Sequence, residues 1–255
     1  MNLNEIRNKI DHLDGEILKL VYERMELGLR TRRQKLTVTD KEREEQVLDN
    51  IMRFSGRLLS AEFIQNLYKI IIEESKQLQA SGRLLVGFQG EHGAYSELAA
   101  RKYEADLVPI PCQEFKEVFE GIKNKNFDFG IVPVENSIEG SVSEVNGLLA
   151  ANDLMIVGEA SLPVNHCLLT LPETDYREIR IVYSHPQALA QCREFLRRHK
   201  FEPRSFYDTA GAAKMLSSLR PGAAAAIASA DCEKFYGLKV LKENIQDERT
   251  NRTRF

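Results

Sequence analysis

The first thirty-six residues constrain this chain most. Apolar side chains recur at Leu3, Ile6, Ile10, Leu13, Ile17, Leu20 and Leu27, spaced three, four, three, four with one position passed over. This is the heptad rhythm of a helix packed along a single seam. No proline interrupts the run, and Gly15 and Gly28 are its only weak helix formers. At about 1.5 Å per residue such a helix is about 50 Å long. That is more apolar seam than a short domain can cover, so most of it is expected to lie against a partner, a second copy of the same helix.

The position passed over is Arg24. A seam arginine either snorkels out or pairs with a nearby carboxylate, or else it lines a buried cationic pocket for a small polyanion. Lys35 returns to the same face eleven residues later. Arg7 is a third cation, but seventeen residues separate it from Arg24, about 25 Å along the axis. It can serve the same pocket only from an antiparallel partner chain.

The rest of the composition removes several functional classes. A net charge of -3 over 255 residues gives no global pull toward nucleic acid. The basic cluster Arg30, Arg32, Arg33 and Lys35 reads as a solvated helix end. No apolar run approaches the length of a membrane span, and the N-terminus has no signal-peptide layout. Cys112, Cys167, Cys192 and Cys232 form no CxxC pair and no metal-ligand spacing, so they read as reduced core thiols of a cytoplasmic protein. Gly87, Gly90 and Gly93 follow a strand-like run, but their spacing is GxxGxxG and no acid ends the next strand, which argues against a dinucleotide site. His92 and His185 read as loop or capping residues. No cofactor and no metal is expected.

Residues 1–82 read as three helices, the second capped by Asp40 and the third by Ser60. From residue 83 to 255 strand-like and helix-like runs alternate, the pattern of parallel sheets flanked by helices. Connections near 155–165 and near 230 suggest a chain crossing between two α/β lobes and back, the first lobe being 83–161 with 231–255 and the second 162–230. A cleft between lobes is a usual place for a small ligand. The loops that would face it are polar or small: Gln89 to Gly93, Glu135-Asn136-Ser137, Ser184 to Gln187, Asp208 to Gly211, and Asn251 to Phe255. Any one of them could simply cap a helix or close a turn; five together point to a site.

Both halves resemble known families. IRNKID around Arg7, ERMEL around Arg24, QKL with Lys35, Asp40 with Arg43 and Glu44, and IIEES with Ser75 and Gln79 resemble an all-helical chorismate mutase over residues 3–80. GFQGEHGAYSE, IVPVENSIEGSV, SHPQALAQC, DTAGAA and the terminal NRTRF resemble prephenate dehydratase over residues 83–255. Together they resemble the bifunctional chorismate mutase–prephenate dehydratase family of phenylalanine biosynthesis. The resemblance implies an all-α N-terminal domain forming a three-helix intertwined homodimer, with higher assembly left open. It also implies an α/β two-lobed dehydratase domain like type II periplasmic binding proteins. Members of the family usually continue past TRF into a phenylalanine-binding ACT domain, and this chain stops at Phe255.

The implied partners are the small molecules chorismate and prephenate, with no nucleic acid and no membrane. In the mutase site the resemblance places Arg24, and Arg7 from the partner chain, on the two carboxylates. Lys35 and Gln79 face the ether oxygen, Glu44, Asp40 and Ser75 bind the ring hydroxyl or position the cations, and Arg43 is a further substrate-binding residue. In the dehydratase site Thr253 is the essential residue, with Asn136, Ser137 and Thr209 as carboxylate contacts. Arg254 is a further substrate-binding residue that holds Thr253 or pairs locally, and Phe255 packs. Two competing readings are a non-catalytic two-lobed binding or sensor protein, and a prephenate decarboxylase; the intact Thr253 speaks against the second.

Overall fold

The computed structural model describes residues 2–33 and 38–255. The described chain forms two compact units, one up to Arg83 and one from Leu84.

The first unit is three helices. α1 (Leu3–Arg32) starts with a capping box: the Asn2 side chain accepts from Glu5 N, and the Glu5 carboxylate accepts from Asn2 N. α2 (Lys41–Met52) is capped by Asp40, and α3 (Ala61–Ala80) by Ser60. α3 packs against both α1 and α2. The shared core is small: Met25, Leu29, Ile51, Ile64 and Ile72. Among the described residues of α1, none before Met25 is buried. The heptad seam is left open, from 39% exposed at Ile6 to 64% at Leu20.

The second unit begins with β1 (Leu85–Gln89), α4 (Tyr95–Tyr103), β2 (Val108–Cys112), α5 (Phe115–Lys123) and β3 (Phe129–Ile131). Their sheet is parallel in the order β2-β1-β3. There follow β4 (Glu135–Asn136), β5 (Gly140–Ser141), α6 (Ser143–Ala151) and β6 (Ser161–Pro163). The chain then builds the second lobe from β7 (Cys167–Thr170), β8 (Ile181–Ser184), α7 (Pro186–Gln191), α8 (Arg193–His199), β9 (Glu202–Ser205), α9 (Thr209–Leu219), β10 (Ala224–Ala228), α10 (Cys232–Tyr236) and β11 (Lys239–Lys242). These five strands form one mixed sheet, β11-β7-β10-β8-β9. β10 lies at its centre, and its five residues are all buried; four of them are alanines, which let α9 approach closely. Finally β12 (Arg252–Arg254) returns to the first lobe, between β4 and β6, in the antiparallel sheet β5-β4-β12-β6.

Two expectations need correction. The sequence pattern puts the return to the first lobe near residue 231, but α10 packs on α9 and β11 pairs with β7. The second lobe therefore runs on past 240, and only the last residues cross back. Secondly, Glu135-Asn136 and the tail read as loops, yet both are strands. Their pairing joins residues more than a hundred positions apart, which no local pattern discloses.

The lobes share apolar contacts. Phe88 and Ala94 of the first lobe pack in one core with Leu169, Ala226 and Cys232 of the second. Phe255 packs with Ala99 and Ala160, and exchanges backbone hydrogen bonds with Ala160 at 2.8 and 3.1 Å. All four cysteines are free and buried. Burial pushes the Cys167 thiol up to about 11 and Cys232 up to about 12, so these thiols stay protonated and are poor nucleophiles.

Candidate active sites

In the helical unit a cavity of about 270 Å³ opens between the three helices. Arg24, Asp40, Arg43, Glu44, Ser75 and Gln79 all line it. Arg24 and Gly28 come from the C-terminal half of α1, where the helix is packed. Asp40 caps α2 with its Oδ1 accepting from Arg43 N at 3.0 Å, which sets Arg43 and Glu44 on the first turn facing the same space. Ser75 and Gln79 sit one turn apart on α3 and are both buried. Gln79 Nε2 donates to Ser75 Oγ at 3.2 Å, and among the described residues Gln79 Oε1 has no hydrogen-bond partner. A buried carbonyl left open costs about 1–3 kcal/mol, a cost that is removed if the amide is reversed so that Ser75 Oγ donates to Oε1. Arg7 is exposed on α1 and does not line the cavity. Lys35 lies outside the described residues.

Two further lining residues bear on the chemistry. Lys76 also lines the cavity and pairs with Glu44 at 3.3 Å and Glu73 at 3.2 Å; the bond to Glu73, followed by that to Glu44, raises its pKa. Its position, one residue from Ser75, was the available signal. Gly28 is the other. A Cβ there would meet Ser75 Oγ at 2.6 Å and Gln79 Nε2 at 3.5 Å. This glycine is the gap through which α3 presents its polar pair.

In the α/β unit the site centres on Thr253, in the middle of β12 and only 9% exposed. Asn136, its register partner on β4, donates from Nδ2 to Thr253 Oγ1 at 2.9 Å. The Asn136 amide cannot be reversed, because its Oδ1 accepts from Ile138 N and Glu139 N, both at 3.0 Å. Thr253 Oγ1 is therefore an acceptor toward Asn136, and its own proton is free to point elsewhere. The same Asn136 Nδ2 donates to Asn251 Oδ1 at 2.8 Å.

The other expected contacts divide. Ser137 Oγ accepts from Arg252 N at 2.9 Å, which ties it to β12 and leaves its own hydrogen to donate. Thr209 opens α9 in the second lobe, beside its cap Asp208, whose Oδ1 accepts from Gly211 N at 2.7 Å. Arg254 does not share Thr253's face. Successive strand residues point to opposite sides, and Arg254 is exposed, paired with Glu135 at 3.0 Å and Glu159 at 3.7 Å. It pairs locally; a carboxylate-binding role beside Thr253 does not fit this placement.

The loop after β1 bridges the lobes. Glu91 accepts from Tyr207 at 2.8 Å and Lys214 at 2.9 Å, both in the second lobe. Glu97, almost fully buried, anchors the loop from the start of α4: it accepts from Gly93 N at 2.7 Å and Arg101 at 2.7 Å, and contacts His92 Nδ1 at 3.2 Å. Burial alone would raise its pKa; His92, the Gly93 N–H and Arg101 outweigh it and hold the carboxyl below its ordinary value. His185 caps α7, with Nδ1 accepting from Gln187 N at 3.3 Å.

Comparison with known proteins follows the same division. The chorismate mutase type II family model matches residues 6–80, and the prephenate dehydratase family model residues 86–255. The bifunctional chorismate mutase/prephenate dehydratase of Enterobacter agglomerans is 32% identical over 271 residues, which covers 98% of this chain and 70% of that protein. Among solved structures, the prephenate dehydratase of Arthrobacter aurescens in complex with L-Phe aligns with a TM-score of 0.62 and 30% identity, covering 68% of this chain and 59% of that one. A structure described as GqqA, a novel type of quorum quenching acylase, aligns with a TM-score of 0.62 and 35% identity, covering 67% of this chain and 62% of that one. One model takes the helical unit, the other takes the α/β unit, and a single relative spans both: the chain belongs to the bifunctional chorismate mutase/prephenate dehydratase family.

Proposed function

We propose that this chain carries out two consecutive steps of phenylalanine biosynthesis. The helical unit rearranges chorismate to prephenate, and the α/β unit converts prephenate to phenylpyruvate with loss of carbon dioxide and water. The observation that carries this is that each compact unit holds its own polar site, made of the side chains its own reaction needs.

The rearrangement is pericyclic. It needs neither a nucleophile nor a proton transfer, only a held conformer and stabilised charge on the breaking ether oxygen. A cavity lined by Arg24, Arg43, Glu44, Ser75 and Gln79, with no His or Cys, suits that demand. Turning the Gln79 amide end for end lets the Ser75 hydroxyl donate to Oε1 and frees Nε2 for the ether oxygen, so no carbonyl is orphaned. The substrate carries two carboxylates; Arg24 takes one, Arg7 of a second copy the other, and Lys35 joins Gln79 at the ether oxygen. The homodimer is part of this proposal. Its support is the uncovered seam of α1 and the distance of Arg7 from the cavity of its own chain.

In the second step the aromatic ring forms as the carboxyl leaves as carbon dioxide and hydroxide departs with a proton as water. Thr253 donates a hydrogen bond to the departing oxygen, its Oγ1 held as acceptor by Asn136. Thr209 is a carboxylate contact from the opposite lobe. We also place the protein in the cytoplasm. The four buried free thiols support a reducing compartment, and among the described residues no helix is long and apolar enough to cross a membrane.

Supplying purified protein with chorismate tests the reading: prephenate and then phenylpyruvate should appear. Turnover of neither chorismate nor prephenate would overturn it. Ile10→Asp with Ile17→Asp should abolish the first step and dimerisation while sparing the second. A fully active monomer would refute the dimer.

A further inference from the structure

Thr253 is the visible end of a longer polar chain that crosses from one lobe to the other. Asn251 Nδ2 donates to Gln191 Oε1 at 3.0 Å, and Gln191 Oε1 lies 2.9 Å from His166 Nε2. His166 Nδ1 lies 3.2 Å from the Tyr95 hydroxyl, whose one proton is within reach of both that nitrogen and Asn165 O at 2.7 Å. Asn136, Asn251, Thr253 and Tyr95 belong to the first lobe; Gln191, at the end of α7, and His166, just before β7, belong to the second. His166 is 2% exposed. Its backbone is pinned on both sides, N–H to Gln246 Oε1 at 3.0 Å and carbonyl from Ile245 N at 3.0 Å.

The donor direction along this chain is forced link by link. The N–H groups of Ile138 and Glu139 fix Asn136 Oδ1 as acceptor, so Nδ2 faces Asn251 and Thr253. Asn251 must then meet Asn136 with its oxygen and Gln191 with its nitrogen. Gln191 must answer with Oε1, since a reversed amide would set two N–H groups against each other. The histidine nitrogen facing that oxygen must carry a hydrogen. Burial holds His166 below its ordinary pKa, so one ring hydrogen is present at neutral pH; it sits on Nε2, and the Tyr95 hydroxyl turns its proton to Nδ1.

We propose that His166 is a positioning residue for the dehydratase reaction: its Nε2–H holds Gln191 Oε1 against Asn251 Nδ2, and so keeps Asn251 Oδ1 as the second anchor of the Asn136 amide that carries Thr253. The inference rests on the dehydratase reading above. Without the His166 donor, Gln191 loses one of the two partners of Oε1 and can turn. Asn251 then loses its fixed partner; Asn136 keeps its sense through Ile138 and Glu139 but loses its second anchor, and Thr253 Oγ1 is held less firmly at the cleft.

Two measurements test this. Nitrogen-15-labelled histidine in the full chain, assigned by loss of one signal in His166→Gln, should show His166 as the Nε2–H tautomer at neutral pH. Steady-state kinetics should show dehydratase kcat down about tenfold or more in His166→Leu with KM within about threefold, and largely recovered in His166→Gln, whose amide N–H can replace Nε2–H. Mutase turnover should be unchanged in both variants. An Nδ1–H tautomer, a fully active His166→Leu, or equal loss in the two variants overturns the inference and leaves the dehydratase reading standing. A wild-type chain inert toward prephenate overturns both.

Discussion

Gly28→Ala, with Gly15→Ala as its control, separates helix propensity from site geometry. In an exposed helix interior, Gly to Ala gains about 0.5–1 kcal/mol. At Gly15 a new Cβ meets nothing within 4 Å, so the gain should be realised and the helical unit should unfold at higher urea. At Gly28 the same methyl would lie 2.6 Å from Ser75 Oγ. That is too close for any Cβ contact, and the neighbour is a buried hydroxyl that already accepts from Gln79. Forcing one extra carbon into a packed helix pair costs about 1–3 kcal/mol. Set against the propensity gain, the net change runs from near zero to a destabilisation of about 2 kcal/mol. Activity should suffer more than stability, because Ser75 must rotate or α3 must withdraw, and either displaces Gln79. We expect mutase turnover to fall by about tenfold to a hundredfold while dehydratase turnover holds. The assay is urea denaturation followed by far-UV circular dichroism, beside the loss of chorismate absorbance. Equal stabilisation by both substitutions, with native mutase turnover in Gly28→Ala, would refute the reasoning.

Other substitutions probe the remaining sites. Thr253→Val keeps the strand and the shape but removes the hydroxyl; phenylpyruvate formation should be lost and prephenate formation kept, and retained dehydratase activity would exclude Thr253 from the chemistry. Lys35→Ala should cut mutase turnover by orders of magnitude with the fold intact by circular dichroism. Arg254→Ala should cost little dehydratase activity, since its charge is spent on Glu135 and Glu159 at the surface; a large rise in KM for prephenate would count against that placement. Glu97 gives a pH test. Its folded pKa is depressed below the ordinary 4.5, so its stabilising effect is present above that value and fades as pH falls through the lower folded value. Glu97→Gln should therefore be less stable than wild type at neutral pH by about 1–3 kcal/mol, with the gap narrowing in acid; a gap independent of pH would contradict the assignment.

How much of this was legible depended on distance along the chain. The long first helix was readable because seven apolar residues repeat its period, and the starts of α2 and α3 because Asp40 and Ser60 cap them through neighbours three residues away. The cavity residues could be collected because helix spacing brings Ser75 over Gln79, and Arg43 beside Glu44. β4, β5 and β12 were not readable. Each is two or three residues long, too short to show alternation; β4 and β12 pair across more than a hundred positions, and β5 is only the return arm of a tight hairpin with β4. The strand character of the tail is also what separates Thr253 from Arg254, since only a strand turns adjacent residues to opposite faces. Gln191 and Asn251 stood inside motifs that were noticed. Their link runs across sixty residues and two lobes, and nothing in either neighbourhood predicts it. Gly28 looked like a weakness in a helix, because sequence cannot say what stands opposite.

The late arrival of β12 has a consequence for how the molecule is made. Residues 167 to 242 supply one sheet from an unbroken stretch and can assemble as soon as they leave the ribosome. The neighbouring lobe starts earlier but cannot close, because the strand between β4 and β6 is synthesised only after the whole second-lobe sheet. Until then two sheet edges stand unpaired, and the nascent chain is exposed to misassociation. The hydroxyl proposed to act on prephenate rides on the segment that seals that gap, so dehydration should become competent in the same event that completes the fold.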